Sequence, residues 1–269
     1  MKILFTDCDD TLLTTDKKVC DRNRLAIDKM IQEGHKIVLT SGRSLPSTKL
    51  QAESIGLTFE GCYLIAYNGG EIYDYYNDHK IFHAQLSMEV VDSVFKLCKE
   101  KGIHVQTYDD RAVISQEKNE SLLRYCNLMK CEYEVVEDVN TYLKEGPCKV
   151  LAVDYTDSGI LEEIRKEVLA LYGDEVDSYY SNAFYLEVVP KGINKGNAIH
   201  ILSDYLGVPM ENTVSAGDAM NDVTMIKEAQ VGVAVLNADD CVKEVADYVT
   251  TVDHNHGAVA EVIEKFILK

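Results

Sequence analysis

The chain has 269 residues, 46% of them hydrophobic and 27% charged, with 45 acidic against 27 basic side chains and a net charge of -18. That composition is ordinary for a globular protein and supplies core for one large or two smaller domains. The acidic excess argues against binding nucleic acid or anionic membrane, because both need a cationic footprint.

The first segment, KILFT (2–6), is a short apolar run that reads as a buried strand. From Asp21 to Gly34 the pattern is helical, with Asp21 as candidate N-cap, Ile27, Met30 and Ile31 on one face, and Gly34 as the stop. KIVLT (36–40) is a second strand, a helix follows SGR and ends near Gly56, and YLIAY (63–67) is a third strand. Strand, helix, strand, helix, strand is the pattern of a parallel sheet with right-handed crossovers.

After NGGEIYD (68–74) the character changes. A hairpin leads to Ser87, which caps a helix carrying Val91, Val94, Phe95 and Cys98. Strand-like HVQTY (104–108) and AVIS (112–115), a helix around 120–130, EYEVV (132–136), KVLAVDY (149–155) and a helix over 158–172 follow, and the module ends near FYLEVVPKG (184–192). The first pattern then resumes: a helix at 195–206, the strand TVSAGD (213–218), VGVAV (231–235), DYVTT (247–251) and a helix from about 257. The expected fold is α/β, a Rossmann-like parallel-sheet core (1–82 and 187–269) with an inserted α+β domain (83–186).

Eight cysteines stand at 8, 20, 62, 98, 126, 131, 148 and 241 without a C-x-x-C pair, and read as reduced, mostly core thiols. The start of the chain enters a strand pattern without a leader, and no apolar run approaches the roughly 20 residues that span a bilayer. The expectation is a cytoplasmic protein.

In an open parallel sheet, ligands bind beyond the carboxyl ends of the strands. Those positions hold Asp7, Asp9 and Thr11 after strand one, Ser41, Gly42 and Arg43 after strand two, and Asn68 and Gly69 after strand three. Gly217, Asp218, Asn221 and Asp222 follow the TVSAGD strand, and Lys195 opens the helix before it. A single D-x-D in so acidic a chain means little; the convergence on one sheet edge carries the inference. Asp7, Asp9 and Asp218 offer hard oxygen ligands suited to Mg²⁺, while Lys195, Ser41, the amides near Gly42 and Asn221 are donors suited to phosphate. An acidic metal site beside such donors fits phosphoryl transfer. Asp7 and Asp9, two apart on an extended strand end, are expected to lean toward one face. One carboxylate then attacks phosphorus and the other moves protons.

The four segments DCDDTLL (7–13), IVLT-SGR (37–43), NKGNA (194–198) and GDAMND (217–222) resemble, in order, the four motifs of the haloacid dehalogenase-like phosphatases, and the arrangement is most similar to the Cof-type subfamily. The resemblance implies Asp7 as nucleophile and Asp9 as general acid/base. It also implies Mg²⁺ held by Asp7, the Asp9 carbonyl and Asp218, with Asp222 in support. Ser41, Gly42, Lys195, Asn221 and the Cys8 backbone would hold phosphate, Arg43, Asn68 and Gly69 would line the substrate side, and the inserted domain would be a mobile cap. Asp10 departs from the pattern, since many relatives carry Gly there, and its charge has no evident partner.

Each feature also has a plainer reading. Asp7–Thr11 can be a solvated loop, Ser41-Gly42 a strand-to-helix turn, Lys195 a surface lysine, and Asn68-Gly69 a hairpin dipeptide. His254 and His256 resemble a metal pair but lack further ligands nearby, and read as a polar loop. The expected function is hydrolysis of a small phosphorylated metabolite such as a sugar phosphate. The alternatives are a phosphomutase on sugar phosphates and a non-catalytic phospho-acceptor or phospholigand-binding module.

Overall fold

The structure, a computed structural model, describes residues 1–156 and 159–268. In chain order the strands are β1 (Ile3–Asp7), β2 (Lys36–Thr40), β3 (Cys62–Ala66), β4 (Glu71–Asp74), β5 (His79–His83), β6 (His104–Tyr108), β7 (Val113–Ser115), β8 (Tyr133–Val135), β9 (Val150–Val153), β10 (Val176–Asn182), β11 (Tyr185–Pro190), β12 (Thr213–Gly217), β13 (Val231–Ala234) and β14 (Tyr248–Val249). The chain divides into two compact units, one of Met1–Phe82 with Asn194 onward, the other of His83–Ile193.

The larger unit holds an eight-stranded sheet in the order β14-β13-β12-β1-β2-β3-β4-β5. The strands from β14 to β3 run parallel, and β4 returns antiparallel to β3. Strands β1, β3 and β12 are buried along their whole length, as strands covered on both faces are, and β3 (CYLIA) reads as an unbroken apolar run. Ile3, Phe5, Val38 and Ile65 pack with Ile199, Leu202 and Met225 from the helices Lys195–Leu206 and Val223–Glu228. A fully buried side chain of this size contributes about 1.5–3 kcal/mol by leaving water.

Register positions the site. Thr6 pairs with Ala216 and Asp7 with Thr40, so β1, β2 and β12 end level with one another. Three loops therefore leave the sheet side by side.

The smaller unit has a six-stranded sheet, β10-β11-β9-β6-β7-β8. Helices Met88–Glu100 and Ile160–Tyr172 bury Val90, Val94, Ile164 and Val168 against Val150, Ala152, Leu186 and Val188 on one face. Ser87 caps the first of these by accepting from the Val90 N–H. Alternation along β6 sends His104, Gln106 and Tyr108 to the other face. There, Asn119 donates to His104 Nδ1 at 3.1 Å, His104 Nε2 meets Gln106 Oε1 at 3.0 Å, Gln106 donates to the Tyr108 hydroxyl at 3.1 Å, and that hydroxyl meets the Tyr125 hydroxyl at 2.7 Å.

Three expectations change. Asp21 is the first helical residue rather than the N-cap, a position taken by Cys20 without a side-chain bond; at Asp21 the acid still faces the positive end of the helix dipole. The chain re-enters the larger unit at Asn194 rather than at 187, because β11 pairs with β10 and β9 in the smaller sheet. Strand β10 (VDSYYSN) escaped notice because it mixes polar and aromatic residues without an apolar run. Ser158, where a helix was expected to begin, lies outside the described residues. Among those residues no helix is long and apolar enough to cross a membrane.

Burial lowers the pKa of His104 and the Gln106 hydrogen bond opposes it, with a net fall below the usual value. The unfolded chain therefore takes up this proton first, near pH 6.5, so the stability that depends on neutral His104 is present above that pH and is lost as pH falls below it. We expect the slope of unfolding free energy between pH 7 and 5, measured by urea melts, to be shallower in His104→Gln, by at most about 1.4 kcal/mol per pH unit. Parallel slopes would contradict this account.

Candidate active site

Strand β1 stops at Asp7, and the chain turns at once into a single π-helical turn, Cys8–Leu12, closed by the Leu13 N–H donating to the Cys8 carbonyl at 2.9 Å. Asp9 lies inside this turn (φ -75°, ψ 130°) and Asp10 is left-handed (φ 58°). The strand geometry expected to point Asp7 and Asp9 the same way does not continue to Asp9, and the two carboxylates engage different cations. Cys8 is buried between them. Burial, then the charges of Asp7 and Asp9, push its thiol well above the usual range, so it is held in the unreactive protonated form.

Asp7 meets Lys195. The ammonium is fully buried and donates to Asp7 Oδ1 at 2.5 Å and to Asp222 Oδ1 at 2.6 Å. Asn194 caps the helix by accepting from the Asn197 N–H, which starts Lys195 pointing out of the first turn. Gly69 lets this helix start come close. Its φ is +107°, and a Cβ there would sit 2.3 Å from the Asn194 carbonyl oxygen. The residue at 69 is thus structural whatever else it does.

Asp222 is the most committed of the acids. Besides Lys195 it accepts the backbone N–H groups of Asp218 and Ala219 through Oδ2, both at 3.0 Å, and it is 0% exposed. Asp218 is fixed by Thr11, whose hydroxyl donates to Oδ1 at 2.7 Å. One oxygen each from Asp7, Asp218 and Asp222 lie within 4.8 Å of one another. Three carboxylates around one ammonium would leave two uncompensated negative charges if all were ionised, and the site resists that. Burial raises the pKa of Asp7 well above its usual value; Lys195 opposes this, and Asp222 and Asp218 add to it. Burial likewise lifts Asp218 to about 6 against the Thr11 hydrogen bond. Lys195 moves up: burial alone would lower it, but Asp222 and Asp7 hold the proton on. A divalent cation with oxygen preference fits this donor set by charge and by spacing.

Asp9 is held by a different pair of cations. Arg43 grips Asp9 Oδ2 through Nε at 3.0 Å and Nη2 at 2.8 Å, and Lys17 reaches Oδ1 at 3.0 Å. Burial alone would raise Asp9, yet Arg43 and Lys17 outweigh it and hold the carboxyl below its ordinary value. Lys17 was not singled out in the sequence, where the turn TTDKK gives no sign of it. Arg43, expected on the substrate side, is committed to Asp9 in this state.

The other donors form a rim. Ser41 N–H joins β3 by donating to Ile65 O at 2.8 Å, its carbonyl accepts from Asn68 N–H at 3.0 Å, and its hydroxyl accepts from Arg43 N–H at 3.1 Å. Asn221 donates to Asn68 Oδ1 at 3.1 Å. Gly42 lies against the same amide, which a Cβ would approach to 3.0 Å. Asp10, unexplained in the sequence, has its carboxylate 3.8 Å from Lys17 Nζ and 3.7 Å from His254 Nε2, while its carbonyl accepts from Asn237 at 2.8 Å. The two histidines part company: His254 Nε2 is 3.2 Å from the Thr15 hydroxyl, whereas His256 turns to Asp253 at 2.6 Å.

A sequence model of the haloacid dehalogenase-like hydrolases matches residues 4–263. A curated relative from Bacillus subtilis strain 168, 5-amino-6-(5-phospho-D-ribitylamino)uracil phosphatase YcsE, is 32% identical over 270 residues, covering 100% of this chain and 96% of its own. Among solved structures, a haloacid dehalogenase-like hydrolase from Bacteroides thetaiotaomicron superposes with a TM-score of 0.88 at 29% identity over 98% of both chains. TM0651 from Thermotoga maritima superposes at 0.86 and 29% identity, over 98% of this chain and 97% of that one.

Removing the buried ammonium strands two carboxylates. Lys195→Met should cost about 3–5 kcal/mol of unfolding free energy in the metal-free protein, and the double variant with Asp222→Asn should recover part of it. A loss under about 1 kcal/mol in urea melts would show that Lys195 does not hold the site together.

Proposed function

The chain belongs to the haloacid dehalogenase-like hydrolases, and from that premise we propose that it is a Mg²⁺-dependent phosphatase that removes phosphate from a small metabolite through an aspartyl-phosphate on Asp7. Its enzyme class is that of a phosphoric monoester hydrolase. The observation that carries the finer reading is the gathering of Asp7, Asp218 and Asp222 around the Lys195 ammonium at the end of β1, more acids than one cation can neutralise when all are ionised.

Asp7 and Asp218, with the Asp9 carbonyl, would hold the Mg²⁺. Asp222 supports them through Lys195 and the loop amides. The ion supplies charge neutralisation for the phosphoryl oxygens. The residues of the chain do the rest. Lys195 fixes one oxygen of Asp7, which leaves the other to attack phosphorus in line with the departing alkoxide. The new bond joins Asp7 to phosphorus, and the bond from phosphorus to the ester oxygen breaks. Asp9 gives its proton to that oxygen, then takes one from the water that hydrolyses the acyl phosphate. For the first of these acts Asp9 must carry a proton, so its pairing with Arg43 has to loosen. A phosphate bound beside Ser41, Gly42 and Asn221 offers the guanidinium a doubly charged alternative.

The relative YcsE is named for a phosphate ester on a ribityl chain. We therefore put sugar-type and sugar-alcohol phosphates first in the set to try, and we propose for the smaller unit (83–193) the substrate-selecting cap role that the resemblance implies. Net phosphate release, rather than transfer from one sugar position to another, distinguishes the phosphatase from a mutase.

Two experiments test the reading. A panel of phosphorylated metabolites with and without Mg²⁺ should give metal-dependent phosphate release, abolished in Asp7→Asn with the fold intact by circular dichroism; full activity in that variant removes Asp7 from the mechanism. Independently of turnover, Mg²⁺ should raise the melting temperature of the wild-type protein, and Asp218→Asn should lose most of that shift. An unchanged shift would place the ion elsewhere.

A further inference from the structure

Eight thiols are free, and five of them, Cys8, Cys62, Cys98, Cys126 and Cys148, are buried. One pair among them is built differently from the rest. The helix Glu120–Met129 ends with Lys130 in the left-handed conformation (φ 51°, ψ 46°), and the N–H groups of Lys130 and Cys131 both converge on the Cys126 carbonyl, the latter at 3.2 Å. This six-residue closure brings the side chains on either side of the turn together, a place where helices commonly set two apolar residues in contact. Here both are cysteines, and each thiol perturbs the other, Cys126 upward and Cys131 downward.

We propose that Cys126 and Cys131 are an oxidation site, a dithiol that closes to an intramolecular disulfide when the protein meets a small disulfide oxidant. The partners are unequal. Cys126 is buried and Cys131 partly exposed, so an incoming reagent reaches Cys131 first. The neighbouring Cys126 thiol lowers the Cys131 pKa, and burial opposes this without reversing it. Its pairing with Cys131, aided by burial, keeps the proton on Cys126. The Cys131 thiolate attacks one sulfur of the oxidant, forming a mixed disulfide and expelling one thiolate. Cys126 then gives up its proton and attacks the Cys131 sulfur, which forms the internal bond and releases the second thiol. Two protein thiols are oxidised and one small disulfide is reduced to two thiols.

The backbone is already closed around the pair by the Cys131 N–H on the Cys126 carbonyl. The helix carries Tyr125, whose hydroxyl meets Tyr108, and Arg124, whose guanidinium lies 3.9 Å from the centre of the Tyr155 ring. Oxidation therefore pins the end of an element whose side chains line the polar face of the smaller sheet.

Trypsin offers a direct readout, because Lys130 lies between the two cysteines. Cleavage after Arg124, Lys130 and Lys144 yields YCNLMK and CEYEVVEDVNTYLK as separate peptides from reduced protein. The full-length protein is titrated with oxidised glutathione, blocked with an alkylating reagent, run on a non-reducing gel and digested. We expect a monomer in which these two peptides run joined and separate on reduction, before Cys20 or Cys241 is modified. In Cys126→Ser, Cys131 should stop at the mixed disulfide with glutathione. In Cys131→Ser, oxidation of Cys126 should slow by about tenfold or more. Joined peptides only in a cross-linked dimer, a persistent mixed disulfide in the wild-type protein, or Cys20 and Cys241 reacting first would each overturn the proposal.

Discussion

Everything at the sheet edge is arranged around one buried ammonium. Lys195 reaches from the last third of the chain to Asp7 on the first strand and to Asp222 after β12. Without it the carboxylates would face one another across a space from which water is largely excluded, at a cost no loop bears alone. Two glycines follow from this contact. Gly69 admits the helix start that delivers Lys195, and Gly217 leaves room for Asp222 to fold back, since a Cβ there would lie 2.5 Å from that of Asp222. The G-D pair that opens the fourth motif is therefore steric before it is chemical.

The same arrangement separates two residues that the sequence presents as neighbours. Asp7 and Asp9 are chemically identical and two positions apart, yet burial raises one and two cations lower the other. The separation comes from the π-helical turn at Cys8–Leu12, which sends each side chain to a different set of partners. A pair of acids driven apart in this way suits a division between nucleophile and proton carrier. Arg43 and Lys17 outweigh burial and hold Asp9 ionised. Taking up a proton there would mean loosening the two bonds from Arg43.

Much of this was legible in the sequence because the relevant signals are local. Buried strands read as apolar runs, helix ends carry glycine, and a site at strand carboxyl ends follows from parallel topology. Ser87 capped its helix as expected. What escaped were side-chain pairings between distant positions. The bond between Arg43 and Asp9 spans 34 positions and that between Thr11 and Asp218 spans 207. No periodicity encodes such pairs; they exist only once β1, β2 and β12 end level. Strand β10 was missed for a different reason, because its residues satisfy a half-polar sheet face rather than a core.

Asp10 shows how the charges are partitioned. Its left-handed backbone is a conformation that glycine enters without strain and that aspartate tolerates better than most residues. The Asn237 amide on its carbonyl helps hold that geometry. Its carboxylate brings a charge that glycine would not, but Lys17 stands beside both Asp10 and Asp9, and Arg43 completes the set. Two acids face two bases, so this side of the motif is neutral. An exposed pair such as Lys17 with Asp10 adds only about 0–1 kcal/mol, so the effect is on local charge more than on stability. The imbalance is left to the other side, among Asp7, Asp218 and Asp222. Of the three adjacent acids, Asp9 and Asp10 are matched within the loop, and Asp7 alone joins the cluster whose charge calls for a cation from solution.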